Sequence, residues 1–202
     1  MLNEQSREEE HSLFLDWLIK AASEHVVDAI VVAGDIFDSA NPPQSAQALY
    51  YNFVSALFKL GGCSLVGLMA EKPADRLLLL PSSENPRVAI ALIPFLRDRD
   101  LRTGKAGESA TEIQRQLVEG IRTRYEETAA LLDAAVGNYQ AIATGHLTVA
   151  GSKSSDAERD IHIGGLGAVG SDAFPARFGY VALGHLHRPQ AAGGASRVRY
   201  SG

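Results

Sequence analysis

The stretch Asp28-Ala29-Ile30-Val31-Val32-Ala33-Gly34-Asp35-Ile36-Phe37-Asp38 decides the fold class of this chain of 202 residues. Its apolar, largely β-branched run is typical of a strand that is buried on both faces, and the run stops abruptly at Gly34-Asp35. Open α/β sheets gather their chemistry at the carboxyl ends of the strands. The stretch therefore predicts an α/β fold in which the carboxylate of Asp35 is held at a strand end.

Two later stretches repeat the pattern of an apolar strand, a glycine and a side chain that can bind a metal. One strand ends at Gly145-His146, and the other ends at Gly184-His185 and is followed by His187. A single coincidence of this kind is a weak signal, whereas three of them in one chain are a consistent one. We therefore expect the three strand ends to form one site.

The chemistry of these side chains points to metal-dependent hydrolysis. If the backbone is extended, His185 and His187 point to the same side, as a shared metal site needs. A mixture of Asp and His without Cys suits Mn, Fe or Zn, and a carboxylate such as Asp35 can bridge two ions about 3.5 to 4 Å apart. With His146 these residues are candidate metal ligands, and hydrolysis of a phosphate ester is the reaction that they favour.

Each candidate also has a purely structural interpretation. An Asp after a strand-end glycine, such as Asp35, is more often a turn residue or a helix cap, and Asp38 can cap the segment that follows it. A histidine on a buried strand, such as His146, is usually a hydrogen-bonded core residue. The pair at positions 185 and 187 favours a metal site more strongly, because spaced histidines in a loop rarely serve packing.

The remaining candidates for chemistry are expected to lie at the surface. His11 and His25 are on or beside the first predicted helix, and His162 alternates with two isoleucines and so faces solvent. The region of Lys153 and Arg159 has two interpretations, a phosphate contact or a solvated loop, and the solvated loop is favoured.

Composition narrows the class of protein. A hydrophobic content of 46% can bury a core, and one compact domain is the default for this length. A net charge of −5 argues against holding nucleic acid by bulk positive charge, although bound cations can supply that charge. The single cysteine, Cys63, excludes an intrachain disulfide and a thiolate zinc cluster. Without a long apolar stretch or a signal peptide, the chain is predicted to be cytoplasmic.

Hydrophobic periodicity predicts alternating helices and strands. The apolar residues of the first helix include Leu13, Phe14 and Trp17, and residues 95–100 are expected to loop out because they are charged. A Pro/Gly loop is expected before the last strand. Helices are predicted over residues 6–24, 44–60 and 108–135, and strands over residues 28–33, 63–68, 76–80, 87–93, 139–146, 178–184 and 196–200, with a short extended piece at 160–163.

The three strand-end motifs, Gly34-Asp35-Ile36-Phe37-Asp38, Gly145-His146 and Gly184-His185-Leu186-His187, resemble those of the calcineurin-like metallophosphoesterase superfamily. Within it, the chain is similar to the SbcD-type nuclease subunits of bacterial SbcCD complexes over nearly its whole length. The stretches that carry this closer similarity are residues 14–18, 93–97, 143–147, 151–154, 159–161 and 198–202.

The resemblance implies a metallophosphoesterase-type two-sheet β sandwich flanked by helices, in α/β/β/α order. It also implies two metal ions, with Mn²⁺ preferred, and hydrolysis of DNA phosphodiesters at ends or hairpins in repair, recombination and replication. An SMC ATPase of the SbcC type is the implied partner, in an assembly with a homodimer of nuclease subunits within a heterotetramer. Carried over by position, Asp35 bridges both metals, His146 and His185 serve one metal, and His187 serves the other.

The chain departs from the family pattern at two motifs. The family's Asp-x-His motif would precede residue 1, and its Asn-His-Asp motif is replaced by Leu68-Met69-Ala70. Four protein ligands thus remain for a site built for seven. We expect residues 1–202 to be a nuclease domain that lacks its first strand and its C-terminal capping domain, with weak or no activity. The alternatives are another metallophosphoesterase acting on small phosphodiesters and a non-catalytic remnant that binds a partner or DNA.

Overall fold

A computed structural model of the chain describes residues 7–37, 39, 41–66, 77–82, 84–154 and 168–202. The predictions for Asp38, residues 67–73, Arg159, His162 and the extended piece at 160–163 lie outside the described residues. The chain divides into two compact units, of which the first comprises residues 1–32 and 36–67 and the second comprises residues 33–35 and 68–202.

The first unit combines two helices with a two-stranded parallel sheet. Its elements are α1 (Glu8–Glu24), β1 (Ala29–Val31), α2 (Gln44–Leu60) and β2 (Ser64–Val66). In the sheet Ala29 lies opposite Ser64, and Val31 lies opposite Val66. Helix α2 begins after Pro43 and ends before Gly61, as the sequence predicts, because Pro suits a helix start and Gly a helix end.

Burial in this unit is lower than the sequence pattern predicts. Strand β1 is half-buried rather than buried on both faces, since its sheet has two strands in the described part of the chain and neither is flanked on both sides. Helix α1 packs against α2, yet Leu13, Phe14 and Trp17 remain exposed. The apolar stripe of α1 is therefore wider than the surface that α2 covers.

The second unit is built on a mixed sheet of six strands in the order β3-β4-β5-β6-β8-β7. Strands β4, β5, β6 and β8 are parallel, and β3 and β7 run antiparallel to their neighbours at the two edges. The carboxyl ends of the four parallel strands thus share one edge of the sheet. The strands are β3 (Leu77–Leu80), β4 (Val88–Ala91), β5 (Gln140–His146), β6 (Tyr180–Gly184), β7 (Gln190–Ala192) and β8 (Ala195–Tyr200).

A long helix covers this sheet and completes the core. Helix α4 (Ala110–Val136) starts at Ser109, whose hydroxyl accepts a hydrogen bond from the Glu112 N–H at 3.2 Å. Its buried residues share one hydrophobic cluster with the strands. The helix residues in that cluster are Leu117, Ile121, Tyr125, Ala129 and Leu132.

Two predictions of irregular structure are wrong. The charged segment at 95–100 contains a short helix, α3 (Asp98–Leu101), and the Asp100 carboxylate accepts a hydrogen bond from the Arg97 N–H at its start at 3.0 Å. The expected Pro/Gly loop contains β7, because Gly193-Gly194, both at positive φ, turns the chain back into β8.

The fold class is α/β, as predicted, with helices against the sheet of each unit. Strands β3 and β4, both predicted from apolar runs, pair as an antiparallel hairpin. Within the described ranges, no helix combines the length and the apolar character needed to cross a membrane.

Candidate functional site

Two of the three predicted strand ends meet in the second unit. His146 ends β5 and lies opposite Gly184, the last residue of β6. The segment Ala33–Asp35 belongs to the same unit, and Oδ2 of Asp35 lies 3.6 Å from Nε2 of His146. The structure therefore brings Asp35, His146 and the end of β6 together, as the sequence predicts.

Glycine permits this close approach. Gly34 has φ +108°, a conformation that side chains rarely adopt, and a Cβ there would lie 2.6 Å from Nδ1 of His146. A Cβ on Gly184 would lie 2.1 Å from the carbonyl oxygen of Ala33. The glycines of the strand-end motifs thus let the segment that carries Asp35 reach the imidazole of His146.

The two later histidines also lie near His146. The ring centroids of His146 and His185 are 5.4 Å apart, and His187 is close enough for its charge to lower the pKa of His146. The imidazole of His146 thus has Asp35 and His185 beside it and His187 within electrostatic range.

The backbone at His185 does not meet the condition of an extended chain that would point His185 and His187 to the same side. Strand β6 ends at Gly184, and His185 has φ +99°, which turns the chain instead of extending it. His185 is half-buried, whereas His187 is exposed.

His146 differs from an ordinary core histidine. Its side chain is 5% exposed, and neither ring nitrogen has a hydrogen-bond partner among the described residues. Burial is the main cause that holds the pKa of His146 below its usual range, the Asp35 carboxylate opposes this shift, and His187 adds to it. The imidazole is thus neutral near pH 7 and keeps a lone pair for an electrophile, which favours a ligand over the hydrogen-bonded core interpretation.

Buried hydroxyl groups fix the backbone on both sides of His146. The Tyr125 hydroxyl donates to the carbonyl of Thr144 at 3.0 Å, and the Tyr200 hydroxyl donates to the carbonyl of Leu147 at 2.9 Å. Burial raises the pKa of both tyrosines, so both hydroxyls stay protonated donors. His146 therefore lies on a backbone that the core holds in place.

Sequence reasoning missed Phe95, whose ring contacts the imidazole of His146 edge to face. The ring centroids are 5.8 Å apart and the planes meet at 84°. Phe95 lies in the segment 95–100, which was predicted to loop out because it is charged. The local signal for a role of Phe95 was its position between two aliphatic residues, Ile93 and Leu96.

A second missed residue, Gln190, connects two loops. The Lys153 N–H donates to Oε1 of Gln190 at 2.8 Å, and Nε2 of Gln190 donates back to the Lys153 carbonyl at 2.7 Å. Nε2 also donates to the carbonyl of Arg188 at 3.2 Å, next to His187. Lys153 itself is exposed, which is compatible with both the phosphate contact and the solvated loop.

The four candidate ligands are close together but do not form a complete metal-coordination site. Over the described part of the chain, no group of three or more His, Cys, Asp or Glu side chains is arranged so that it could hold a metal ion. His11 and His25 are exposed, as predicted.

Comparison with known proteins gives curated relatives that share one name. No family model matches the chain. The chain is 40% identical over 224 residues to the SbcD subunit of the SbcCD nuclease of Escherichia coli (strain K12), covering 98% of this chain and 56% of that protein. It is 36% identical over 237 residues to the protein of the same name from Rhodobacter capsulatus, covering 100% and 58%. The corresponding Bacillus subtilis protein is 33% identical over 224 residues, covering 100% and 57%.

These alignments also show how the chain differs from its relatives. The chain spans just over half the length of the curated relatives that it matches. The aligned lengths of 224 and 237 residues exceed the 202 residues of this chain, so the relatives carry residues within the aligned region that this chain lacks. The identity nevertheless extends over nearly the whole chain, which confirms its resemblance to the proteins named as SbcD subunits of SbcCD nucleases.

Proposed function

We propose that this chain is the nuclease part of a metal-dependent phosphodiesterase that hydrolyses DNA. The observation that carries the proposal is His146, a neutral and buried imidazole without a hydrogen-bond partner among the described residues, with Asp35 at 3.6 Å. The relatives of the chain support it, because they are named nuclease subunits.

The residues present fit a divalent cation in their chemistry. Asp35, His146, His185 and His187 would hold it. A mixture of Asp and His without Cys suits Mn, Fe or Zn, and we propose Mn²⁺ among them because it is the ion that the family resemblance implies. A bound divalent cation supplies an activated water and offsets charge on a phosphoryl group.

The protein buries one candidate ligand and leaves two others exposed. His146 is buried on an anchored strand end, whereas the Asp35 side chain is 71% exposed and His187 is exposed. The net charge of −5 gives DNA no bulk positive field, and a bound cation would supply positive charge at the site.

We further propose the context in which the chain acts. Residues 1–202 would form one metallophosphoesterase domain that cleaves DNA at ends or hairpins during repair, recombination and replication in the cytoplasm. An SbcC-type SMC ATPase would be the partner, with a homodimer of nuclease subunits within a heterotetramer. Support comes from the relatives, which are named as SbcD subunits of SbcCD.

A second candidate is a non-catalytic family member that retains a partner or DNA contact. Two observations favour it. The described residues contain no complete metal-coordination site, and the relatives carry additional residues within the aligned region. Together they lead us to expect weak activity.

Calorimetric titration of the metal-free protein with Mn²⁺ tests both candidates. We expect binding that His187→Ala weakens by at least about tenfold, since even residues that support a ligand contribute that much. His25→Ala is the matched control, because His25 is equally exposed. Absence of Mn²⁺ binding would reject the proposal.

Cleavage assays on linear and hairpin DNA then separate the activities. Mn²⁺-dependent cleavage supports the nuclease, and Mn²⁺ binding without cleavage supports the non-catalytic candidate. Hydrolysis of nitrophenyl phosphodiesters without any cleavage of DNA would indicate an enzyme for small phosphodiesters.

A further inference from the structure

Phe95 presents an aromatic ring to solvent beside the candidate metal ligands. The residue is 40% exposed although its ring contacts His146, with 5.8 Å between the centroids. Leaving apolar ring surface in water costs free energy, and burial of that surface would recover it. The position therefore offers a ligand an apolar face within the reach of one nucleotide from His146.

The outward placement of Phe95 is fixed by the fold. Its neighbours Ile93 and Leu96 are both buried in the core cluster. The Ile93 N–H donates to the hydroxyl of Thr144 at 3.0 Å, and Thr144 precedes His146 by two residues on β5. The segment is thus tied to the same strand that carries the candidate ligand, and the ring is held in place before any ligand arrives.

We propose that Phe95 is a nucleobase-stacking residue, on which a base of the DNA strand packs while the adjoining phosphodiester lies at His146. This inference rests on the proposed function. Stacking suits the substrate class, because every base has a π-face and an aromatic side chain binds it without regard to sequence. Stacking also positions the strand without requiring positive charge, and the net charge of this chain is −5.

Fluorescence anisotropy with two labelled single strands tests the proposal. One strand is oligothymidylate, and the other has the same length and phosphates but abasic residues throughout. We expect Phe95→Ala and Phe95→Leu to weaken binding of oligothymidylate about 5- to 150-fold and to leave binding of the abasic strand unchanged. Phe95→Trp should keep the affinity, and its added fluorescence should be quenched by oligothymidylate.

Tyr139→Ala is the matched control. Tyr139 is 41% exposed and directly precedes β5, whose seven residues place it about 20 Å from His146. This variant should bind both strands like the wild type.

Two results would overturn the inference in distinguishable ways. If the wild-type protein binds Mn²⁺ and holds both strands equally well, or if Phe95→Ala loses the same factor for both, stacking is wrong and the proposed function stands. If the wild type binds neither Mn²⁺ nor either strand, the proposed function fails and the stacking role fails with it.

Discussion

Replacing Gly184 by alanine would separate the end of β6 from the segment Ala33–Asp35. The new Cβ would lie 2.1 Å from the Ala33 carbonyl oxygen and 2.7 Å from the Gly34 Cα, whereas ordinary contacts begin at 3.4 Å. Both neighbours are backbone atoms, so no side chain can rotate away. The segment that carries Asp35 must therefore retreat by about 1 Å.

A retreat of this size disrupts metal binding more than folding. In the wild type, Oδ2 of Asp35 is 3.6 Å from Nε2 of His146. A carboxylate oxygen has to come within about 2.0–2.2 Å of a shared ion. We expect Mn²⁺ affinity to fall about 10- to 100-fold. Overpacking of this kind costs about 1–3 kcal/mol, which lowers the melting temperature by about 2–12 °C for a chain of this length.

Three measurements check this prediction. Calorimetry gives the Mn²⁺ affinity, thermal unfolding of the metal-free protein gives the stability, and NMR titration of the His146 imidazole reports on Asp35. Since the Asp35 carboxylate raises the pKa of His146, its retreat should lower that pKa further.

Gly179→Ala is the control, because Gly179 directly precedes the same strand, β6, at its other end. There a Cβ would meet only the flexible Gln140 amide, at 3.3 Å, and the Ala141 carbonyl at 3.8 Å. Wild-type Mn²⁺ affinity and an unchanged His146 pKa in Gly184→Ala would refute the reasoning, because the glycine would then not be what brings Asp35 to the imidazole.

Three further predictions concern the same site. His185→Ala should lower Mn²⁺ affinity sharply and His11→Ala should not, because His11 is exposed on α1; an unchanged isotherm for the first variant would remove His185 from the site. Because burial holds the pKa of His146 below 6.5, the unfolded chain takes up a proton first as the pH falls, so the metal-free protein should lose stability below that value. Urea unfolding at about pH 7.5 and about pH 5.5 measures this loss, and His146→Gln should show less of it. Thr144→Val leaves the buried Ile93 N–H without its acceptor and should cost about 1–3 kcal/mol in urea unfolding, whereas Thr144→Ser should retain most of the stability.

The helices and the strand ends could be predicted because their signals are local. Helix α2 was predicted with its observed bounds, since Pro43 and Gly61 mark its ends within a few residues of the chain. The prediction failed at α3, where the charged composition suggested a loop and the Asp100 carboxylate instead stabilises a helical turn. It failed again at β7, because a three-residue strand carries too little periodicity to be recognised.

The ligand types could be predicted, whereas their geometry could not. A glycine followed by Asp or His after an apolar run identifies Asp35, His146 and His185 from neighbouring residues alone. The turn at His185 is different, since its φ of +99° has no signal in the residue type, which rarely adopts that conformation. The role of these residues in metal binding stays a prediction.

The sequence by itself determined the α/β class, the three strand ends and the kind of chemistry that their side chains favour. These follow from apolar runs, glycines and ligand types, which act over a few residues. Only the tertiary structure decided that His146 lies opposite Gly184 and that Phe95 contacts its ring. The hydrogen bond from the Ile93 N–H to the Thr144 hydroxyl, for instance, joins residues 51 positions apart. The pairing of parallel strands sets such contacts, and no local pattern specifies which strands become neighbours.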